Sequence, residues 1–154
     1  MSAYAEYSNV PFTDREALVE ALLMLHPHWK REQITVSETN SIPLYGWKGK
    51  NRSQSTGLNR AALCEISIPG RGHPTLPNIV GGASNDIGFT RNAEGQLVPI
   101  ISDNESYSFN ECWINKVKAT YLEVLITRKA KKQGYRVKKT EEKGKVKLSL
   151  TRWK

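Results

Sequence analysis

The sequence predicts an α+β fold: a mostly antiparallel sheet with two helices on one face, in the order β-α-β-(ββ)-α-(ββ). Two segments carry apolar residues at helical spacing, and several other segments alternate apolar and polar residues as strands do. The chain of 154 residues is long enough to enclose a hydrophobic core. We therefore expect residues 1–154 to form a single α+β domain.

The first two elements are a strand and a helix. Residues 2–8 alternate weakly and are expected to form a strand. Thr13 and Glu16 have the spacing of a capping box, in which each side chain satisfies a backbone N–H at a helix start. The apolar residues that follow recur at helical period: Leu18, Val19, Leu22 and Leu25. The helix should end at His26, since Pro27 disfavours helical conformation in the residue before it.

The middle of the chain is predicted to contain short strands and long loops. Residues 34–36 are expected to form a short strand, and residues 45–57 a polar, glycine-punctuated loop. Residues 58–69 predict a buried strand, with the apolar residues Leu63, Ile66 and Ile68. Residues 70–84 contain four glycines and two prolines. A long loop is expected there, and long ordered loops are often functional.

A hairpin is predicted next. Ile87 and Phe89 alternate toward the core, residues 92–95 form the turn, and Leu97 starts the returning strand.

The second helix follows this hairpin. Ser108 and Glu111 again have capping-box spacing. One face of the helix carries an apolar residue every four positions: Trp113, Val117, Tyr121 and Leu125. Lys131 and Lys132 lie in the last turn, where cations favour the helix dipole. Gly134 is expected to end the helix.

Charge is distributed very unevenly along the chain. Residues 1–110 carry 9 Lys and Arg against 11 Asp and Glu, a net charge of −2. Residues 111–154 carry 14 against 4, a net charge of +10. This separation predicts one positively charged surface with long-range attraction for anions.

The carboxy-terminal segment predicts a hairpin with two different faces. Tyr135 and Val137 should point to one side, and Val146, Leu148 and Leu150 should face the core. The turn is expected in residues 140–144. The opposite face would carry the candidate residues for binding an anion or a partner: Arg136, Lys138, Lys145, Lys147 and Trp153.

Two interpretations of this cationic face are open. Lysines beside an aromatic residue can hold phosphates and stack a base. Alternatively, lysines on a solvated edge strand protect it from aggregation. Trp47 lies near Lys48, Lys50 and Arg52, which form a second basic and aromatic segment with the same two interpretations.

Other residues are weaker candidates for chemistry. Arg71, His73 and Asp86 form a loop set that could act on a small anionic substrate, although Asp86 could equally cap a turn. Cys64 could pair with His73 as nucleophile and base, but cysteine in an apolar strand usually packs as a small hydrophobe.

A metal site is not expected. The histidines His26 and His28 flank a proline at a helix end, and no Cys or carboxylate cluster in the sequence completes a tetrahedral zinc site with them. No cofactor motif is present, because the glycines near Arg71 fit neither the phosphate-loop nor the dinucleotide pattern.

Several classes of protein are excluded or disfavoured. No run of about 18 apolar residues exists, so no membrane span is predicted. The first residues lack the basic and apolar regions of a secretory signal. Cys64 and Cys112 are the two cysteines, which favours a reducing compartment over a disulfide framework. We therefore expect a cytoplasmic location, or the equivalent reducing compartment of a host cell or plastid.

Four short segments resemble those of a known family. Residues 85–89, with Asp86, Ile87, Gly88 and Phe89, resemble the tyrosine-aspartate-isoleucine-glycine-phenylalanine motif of the conserved hypothetical chloroplast reading frame thirty-five family. Residues 45–49 are an approximate counterpart of its glycine-tyrosine-x-glycine segment. Residues 133–135 and the pair Arg152 and Trp153 resemble its glutamine-glycine-aromatic turn and its final arginine-tryptophan.

The resemblance spans most of the chain and implies a fold more than an activity. Members are small proteins of cyanobacteria, plastids and some other bacteria and phages, without established catalytic residues. The resemblance thus implies a soluble protein and disfavours an enzyme. Residues 26–44 and 67–84 are longer here than is usual in the family, so they are predicted to be insert-like loops.

Three functional hypotheses follow. The first is a non-enzymatic binding or adaptor module that uses the basic surface of residues 128–154 on an anionic protein or nucleic acid. The second is a sequence-tolerant nucleic-acid-binding protein that uses Trp47, Trp153 and the lysines. The third is an enzyme acting at residues 70–89. We prefer the first hypothesis, because it requires the fewest assumptions about the sequence.

Overall fold

The structure is a computed structural model. It describes residues 4–6, 10–46, 49, 51, 63–81, 85–103 and 105–152. For residues 4–6 and 142 it describes the backbone alone.

The described chain contains two α-helices, one 3₁₀ turn and seven strands. The helices are α1, Arg15–Leu25, and α2, Glu111–Lys132, and the 3₁₀ turn is Arg31–Gln33. The strands are β1, Tyr4–Glu6; β2, Thr35–Val36; β3, Ile66–Ile68; β4, Ile87–Arg91; β5, Leu97–Ser102; β6, Tyr135–Glu142; and β7, Lys145–Arg152.

The predicted α+β class is confirmed. Five strands form an antiparallel sheet in the order β1-β5-β4-β3-β2. The short strand expected at residues 34–36 is confirmed as β2, so two strands, β2 and β3, lie between α1 and the β4–β5 hairpin, where the predicted order counts one. A correction concerns the carboxy-terminal hairpin. The strands β6 and β7 pair with each other in a separate two-stranded sheet and do not extend the main one.

The main sheet is buried on both faces. Side chains that are paired across β3 and β4, such as Ile66 with Phe89, pack with the helices in the large core cluster. On the opposite face, Leu44, Cys64 and Ile100 form a second small cluster. Leu63, which was expected to be buried, is exposed. Leu63 lies before β3 begins. In that part of the chain, the neighbouring Cys64 pairs with Ile42 in an isolated β-bridge.

Both helices begin differently from the prediction. The N-cap of α1 is Asp14, whose carboxylate accepts a hydrogen bond from the backbone N–H of Ala17 at 3.0 Å. The N-cap of α2 is Asn110, whose side-chain oxygen accepts from the N–H of Trp113 at 3.3 Å. The predicted capping residues Thr13 and Ser108 are therefore wrong by one and two positions. Asp ranks above Thr as an N-cap, which accounts for the start of α1, whereas Ser and Asn rank equally and their ranking does not decide the start of α2.

The predicted apolar stripes of the helices are confirmed. Leu18, Val19 and Leu22 of α1 are buried, and α2 buries Trp113 and Tyr121. Gly134 ends α2 with a positive φ of 86°, which a residue with a Cβ adopts rarely. Among the described residues, no helix combines the length and the apolarity that crossing a membrane requires.

Tyr121 joins the two helices through its hydroxyl group. The side chain is fully buried, and its oxygen accepts hydrogen bonds from the backbone N–H groups of Thr13 at 3.1 Å and Asp14 at 3.0 Å. The first N–H groups of a helix have no partner within the helix. A side chain of α2 therefore satisfies the backbone immediately before α1, which fixes the position of one helix on the other.

The two segments predicted as insert-like loops contact each other. The indole N–H of Trp29, in the 26–44 segment, donates to the backbone oxygen of Ile79, in the 67–84 segment, at 3.0 Å. Trp29 also stacks on His26 with ring centroids 3.8 Å apart. These two segments therefore pack on the edge of the core as one layer.

Candidate functional site

The carboxy-terminal hairpin closes with a turn that lies within the predicted residues 140–144 but is shorter, since β6 extends to Glu142. Lys143 and Gly144, at φ 51° and 75°, form a two-residue turn between β6 and β7. Two consecutive positive φ values are typical of a type I′ turn, whose twist matches that of paired strands. The turn sets the register in which Lys138 lies opposite Ser149 and Thr140 lies opposite Lys147.

The outer face of the hairpin is cationic and exposed. Residues that pair across an antiparallel sheet share a face, so the register places Arg136, Lys138, Lys145 and Lys147 on the same side. All four are exposed to solvent. The predicted arrangement of these lysines in a folded sheet is confirmed. What the face binds stays a prediction. Trp153, the fifth predicted member, lies outside the described residues.

The inner face of the hairpin faces the helices but is not packed into the core. Val146 and Leu150 were expected to be core residues, yet each is 49% exposed. Lys139, on this same inner face by register, forms ion pairs with Glu123 of α2 at 3.1 Å and with Glu141 at 3.8 Å. The hairpin is therefore held on α2 partly through a lysine whose inward position the sequence analysis did not identify.

An open apolar groove lies between the hairpin and the helices. Its volume is about 990 Å³. Its floor and walls include Met24 at the end of α1, Leu122 and Ile126 of α2, and Val146 and Leu150 of β7. These five side chains are between 42% and 49% exposed. A contiguous exposed apolar patch that is rimmed by polar groups is typical of an interaction site.

The sequence analysis missed the second apolar face of α2. It identified the face that contains Tyr121 but not Leu122 and Ile126, which project from another side of the same helix into the groove. A signal was present, since these two residues are four positions apart and therefore neighbours on a helix surface.

The second basic and aromatic segment cannot be placed. Trp47, Lys48, Lys50 and Arg52 lie outside the described residues. The neighbouring Tyr45 is described, and it connects to the loop that contains His73 and Asp86.

Asp86 holds two loops against the start of β4. It is fully buried, and its two carboxylate oxygens accept hydrogen bonds from the N–H of Gly70 at 2.8 Å and of Tyr45 at 2.9 Å. The N–H of Asp86 donates back to the oxygen of Tyr45 at 2.9 Å. The motif at residues 85–89 therefore contacts the segment that begins at Tyr45, and these hydrogen bonds join Asp86 to two distant loops, which neither the turn-capping nor the acid–base interpretation predicted.

His73 also stabilises its own loop. Its Nδ1 atom accepts hydrogen bonds from the N–H groups of Thr75 at 3.2 Å and Leu76 at 2.9 Å. Its ring contacts that of Tyr45 edge to face, with centroids 5.2 Å apart. Partial burial holds the pKa of His73 below its ordinary value. Arg71, in the same loop, is exposed.

The carboxyl groups of Asp86 and Glu105 lie in a buried polar cluster. The pKa of Asp86 is raised to about 6, mainly by burial and further by the charge of Glu105, while the N–H bonds from Gly70 and Tyr45 oppose the rise. Burial likewise raises the pKa of Glu105 above its ordinary value. Glu105 accepts from the backbone N–H of Asn85 at 3.0 Å, which extends the cluster along the chain.

We expect Asp86 to make stability depend on pH. A raised folded-state pKa means that the folded protein holds the Asp86 proton between the ordinary value of 3.8 and about 6, while the unfolded chain does not. Stability from this group should therefore fall as pH rises through that window, by up to about 3 kcal/mol. Urea unfolding at several pH values measures it.

The variant Asp86→Asn isolates this effect. The amide cannot ionise, so the difference in free energy of unfolding between variant and wild type should change between pH 4 and 6, which are roughly the limits of the window. His26 titrates in both proteins and cancels in this difference. The exposed-turn variant Glu94→Gln serves as control and should follow the wild type. A difference that stays constant with pH would contradict the assignment.

The remaining candidates lie apart from the hairpin and fill structural roles. His26 accepts a hydrogen bond on Nε2 from the indole N–H of Trp113 at 2.9 Å, while His28 is exposed. Burial, together with the charge of Lys116, lowers the pKa of His26. Cys64 is fully buried beside Leu44, as expected for a small hydrophobe.

The comparisons with known proteins identify a family. No curated protein and no solved structure shows significant similarity to this chain. A family model described as "Protein of unknown function (DUF1257)" matches residues 33–151, which include α2, the hairpin and the Asp86 motif but not α1. Since this match covers well over half of the sequence, the chain belongs to the DUF1257 family of proteins of unknown function.

Proposed function

We propose that this protein is a non-enzymatic binding module, an adaptor that holds an anionic surface of a partner protein on the outer face of the β6–β7 hairpin. The observation that carries the proposal is the register, which aligns Arg136, Lys138, Lys145 and Lys147 on one exposed face. Residues 135–152 contain seven Lys and Arg against two Glu. Such an array attracts anions over roughly 10 Å at 0.1 M salt.

Stacking of bases needs an open aromatic face. Among the described residues, the cationic face of the hairpin carries no aromatic side chain, which favours a protein partner over a nucleic acid. Tyr135 lies on the inner face by register, with the guanidinium group of Arg152 5.8 Å from its ring centroid. Sequence-tolerant nucleic-acid binding stays the second candidate, since the same cations would contact phosphates.

A non-catalytic role is supported by the hydrogen bonds that the loop residues already make. Both oxygens of Asp86 and the Nδ1 atom of His73 accept hydrogen bonds from backbone N–H groups. Catalysis at residues 70–89 would require those groups to exchange partners. The resemblance to the chloroplast reading frame thirty-five family and a cytoplasmic location are part of this proposal, and a sequence with two cysteines favours a reducing compartment over a disulfide framework.

The proposal is tested with a double charge reversal, Lys138→Glu with Lys147→Glu. Binding of fluorescent polyglutamate and of a single-stranded oligonucleotide is measured by anisotropy over a range of salt concentrations. We expect the wild type to bind polyglutamate and the variant to lose at least about tenfold in affinity, because two attractive contacts become repulsive. Both positions are exposed, so the fold should be retained.

A matched control variant distinguishes the effect of charge on the hairpin from the effect of the protein's net charge. The variant Lys30→Glu with Arg71→Glu changes the net charge equally, at exposed positions outside the hairpin. It should lose less than about threefold, since separated surface charges are screened by salt. Equal losses in the two variants would contradict a hairpin site. Tighter binding of the oligonucleotide than of polyglutamate, with a steep salt dependence, would favour the second candidate.

A further inference from the structure

The hairpin leaves a row of backbone groups unpaired along the outer edge of β7. Its two-residue turn makes Glu142 and Lys145 a hydrogen-bonded pair, and such pairs alternate along antiparallel strands. The odd-numbered residues of β7 therefore bond to β6. The N–H and C=O groups of Val146, Leu148 and Leu150 point away from it, and within the described part of the chain they bond to no other strand.

The edge of β7 lacks the protection that the edge of β6 has. Open edge strands are commonly protected by proline, by a bulge or by a charged side chain that points inward. β6 has such a charge, since Lys139 lies on its inner face and pairs with Glu123 of α2. β7 pairs over eight residues in unbroken register and contains no proline. Before the last residue of the strand, its inner face carries only apolar side chains: Val146, Leu148 and Leu150.

β7 can pair with the same strand of a second copy in a register that uses all of these groups. In that register Leu148 lies opposite its own counterpart, and Val146 lies opposite Leu150 of the second copy. Residues that point to the free edge are thus paired with one another, as antiparallel hydrogen bonding requires. The inner side of the joint is apolar, and such cross-strand pairs stabilise a sheet. The exposed surface of Val146 and Leu150, each 49% exposed, supplies this contact.

The lysines on the outer face do not oppose one another in this register. Lys147 lies opposite Ser149 of the second copy, and Lys145 lies opposite Thr151. Like charges directly opposite each other destabilise a sheet, whereas a lysine opposite a hydroxyl group does not have this cost. The lysines of β7 therefore permit the pairing, and the repulsion that remains is long-range and screened by salt.

The neighbouring registers are less favourable. A shift by one pair toward the turn places Lys147 directly opposite its own counterpart. A shift the other way places Val146 opposite Arg152 on the inner face, which replaces an apolar pair with a charged one. The register centred on Leu148 avoids both costs, so the sequence of β7 is complementary to itself in one alignment.

We infer that this protein forms a symmetric dimer in which the β7 strands of two copies pair antiparallel, centred on Leu148, into a four-stranded sheet. The same surface is used by both copies, as in most two-fold dimers. A two-stranded sheet gains stability from added strands. Residues that pair across the joint share a face, so both cationic faces lie on the same side of the sheet. The inference goes beyond the proposed function, since it concerns the edge of the hairpin and not its outer face.

Sedimentation equilibrium of the full chain measures the association. We expect the average mass to rise from that of one chain toward that of two over about a hundredfold range of protein concentration. Residues 135–152 carry seven Lys and Arg against two Glu, so two hairpins repel each other at low salt. Added salt should therefore strengthen dimerisation. Binding of polyglutamate to the outer face should instead weaken as salt is added.

The variant Val146→Lys tests the edge directly. It places an inward-pointing charge against Leu150 of the second copy, and we expect the affinity of dimerisation to fall at least about tenfold. Within its own hairpin the new lysine lies opposite Glu141, so the circular dichroism should stay that of the wild type. The control Met24→Lys changes a 42% exposed side chain of the groove that is not part of β7, and it should dimerise as the wild type does.

Engineered cysteines test the register. The variants Lys147→Cys and Ser149→Cys are made in separate chains that also carry Cys112→Ser, which removes the exposed native thiol. Opposite residues that are not hydrogen-bonded have Cα atoms about 4.5 Å apart, within the range of a disulfide. Oxidation of the mixed chains should therefore give more cross-linked dimer than oxidation of either chain alone. A mixture of Lys145→Cys and Ser149→Cys, which are not opposite, should cross-link little.

The outcomes distinguish this inference from the proposed function. A monomer at every concentration and salt, or equal dimerisation of Val146→Lys and the wild type, overturns the inference. Loss of the dimer in Met24→Lys alone overturns it in favour of contact through the groove, and a missing cross-link between positions 147 and 149 overturns the pairing. The proposed function fails separately, if polyglutamate binding is absent or unaffected by the Lys138 and Lys147 reversal.

Discussion

Replacing Gly70 with alanine is expected to lower the free energy of unfolding by about 3 kcal/mol or more. An added Cβ would lie 2.4 Å from the backbone oxygen of Asn85 and 2.6 Å from its carbonyl carbon. Both distances are well inside the roughly 3.5 Å of ordinary nonbonded contact. Backbone atoms cannot swing aside, so the loop must move. That movement breaks the hydrogen bond from the Gly70 N–H to Asp86.

The variant Gly95→Ala is the matched control for Gly70→Ala. Gly95 has a positive φ of 79° but no atom within 4 Å of an added Cβ. Its replacement should cost only the backbone strain, about 1 kcal/mol. Thermal and urea unfolding of the two variants measure the difference. If Gly95→Ala were the more damaging of the two, close packing of residues 70 and 85 would not be what requires glycine.

Neutralising Glu65 should be comparably damaging. Glu65 is buried and accepts hydrogen bonds from Arg15 at 2.8 Å and from Arg91 at 2.7 Å, which ties the start of α1 to β3 and β4. Burial alone would raise the pKa of Glu65, but the two arginines outweigh it and hold the pKa below its ordinary value. The variant Glu65→Gln leaves both guanidinium groups without a countercharge, and we expect it to cost about 3–4 kcal/mol.

The variant Glu20→Gln provides the control for Glu65→Gln. Glu20 pairs with Arg128 at 2.6 Å, but both side chains are more than 40% exposed. Exposed ion pairs contribute about 0–1 kcal/mol to stability, so Glu20→Gln should change the free energy of unfolding very little. Because the pKa of Glu65 is lowered, its contribution is present at neutral pH and is lost as pH falls below about 4.5. Equal effects of the two variants would show that burial does not determine the cost.

The elements of the fold could be predicted because their signals are local. The stripe of Leu18 and Leu22 and the alternation of Lys145 to Leu150 depend on neighbours within a few positions. The face on which each hairpin residue lies followed from the same alternation, whereas the register is set by the two-residue turn that the structure shows. The cationic face was predictable for that reason. The N-caps were misplaced, since several polar residues precede each helix and the sequence ranks them weakly.

The candidate site was only half predictable. Alternation says that Val146 and Leu150 share a face, but it does not say how closely that face approaches a helix. The sequence analysis placed them in the core, whereas they line an open groove with Ile126. Asp86 shows the same limit, since its partners Tyr45 and Gly70 lie 41 and 16 residues away. Nothing in the spacing of the chain indicates those two hydrogen bonds.

The sequence by itself determined the types of element, their order apart from one short strand, and the concentration of positive charge in residues 111–154. The tertiary structure decided that the hairpin forms its own sheet and leaves an apolar groove beside α2. The physical reason is that periodicity fixes the direction of a side chain relative to its own backbone. The distance between two packed elements depends on contacts between residues far apart in the chain, and local patterns do not contain it.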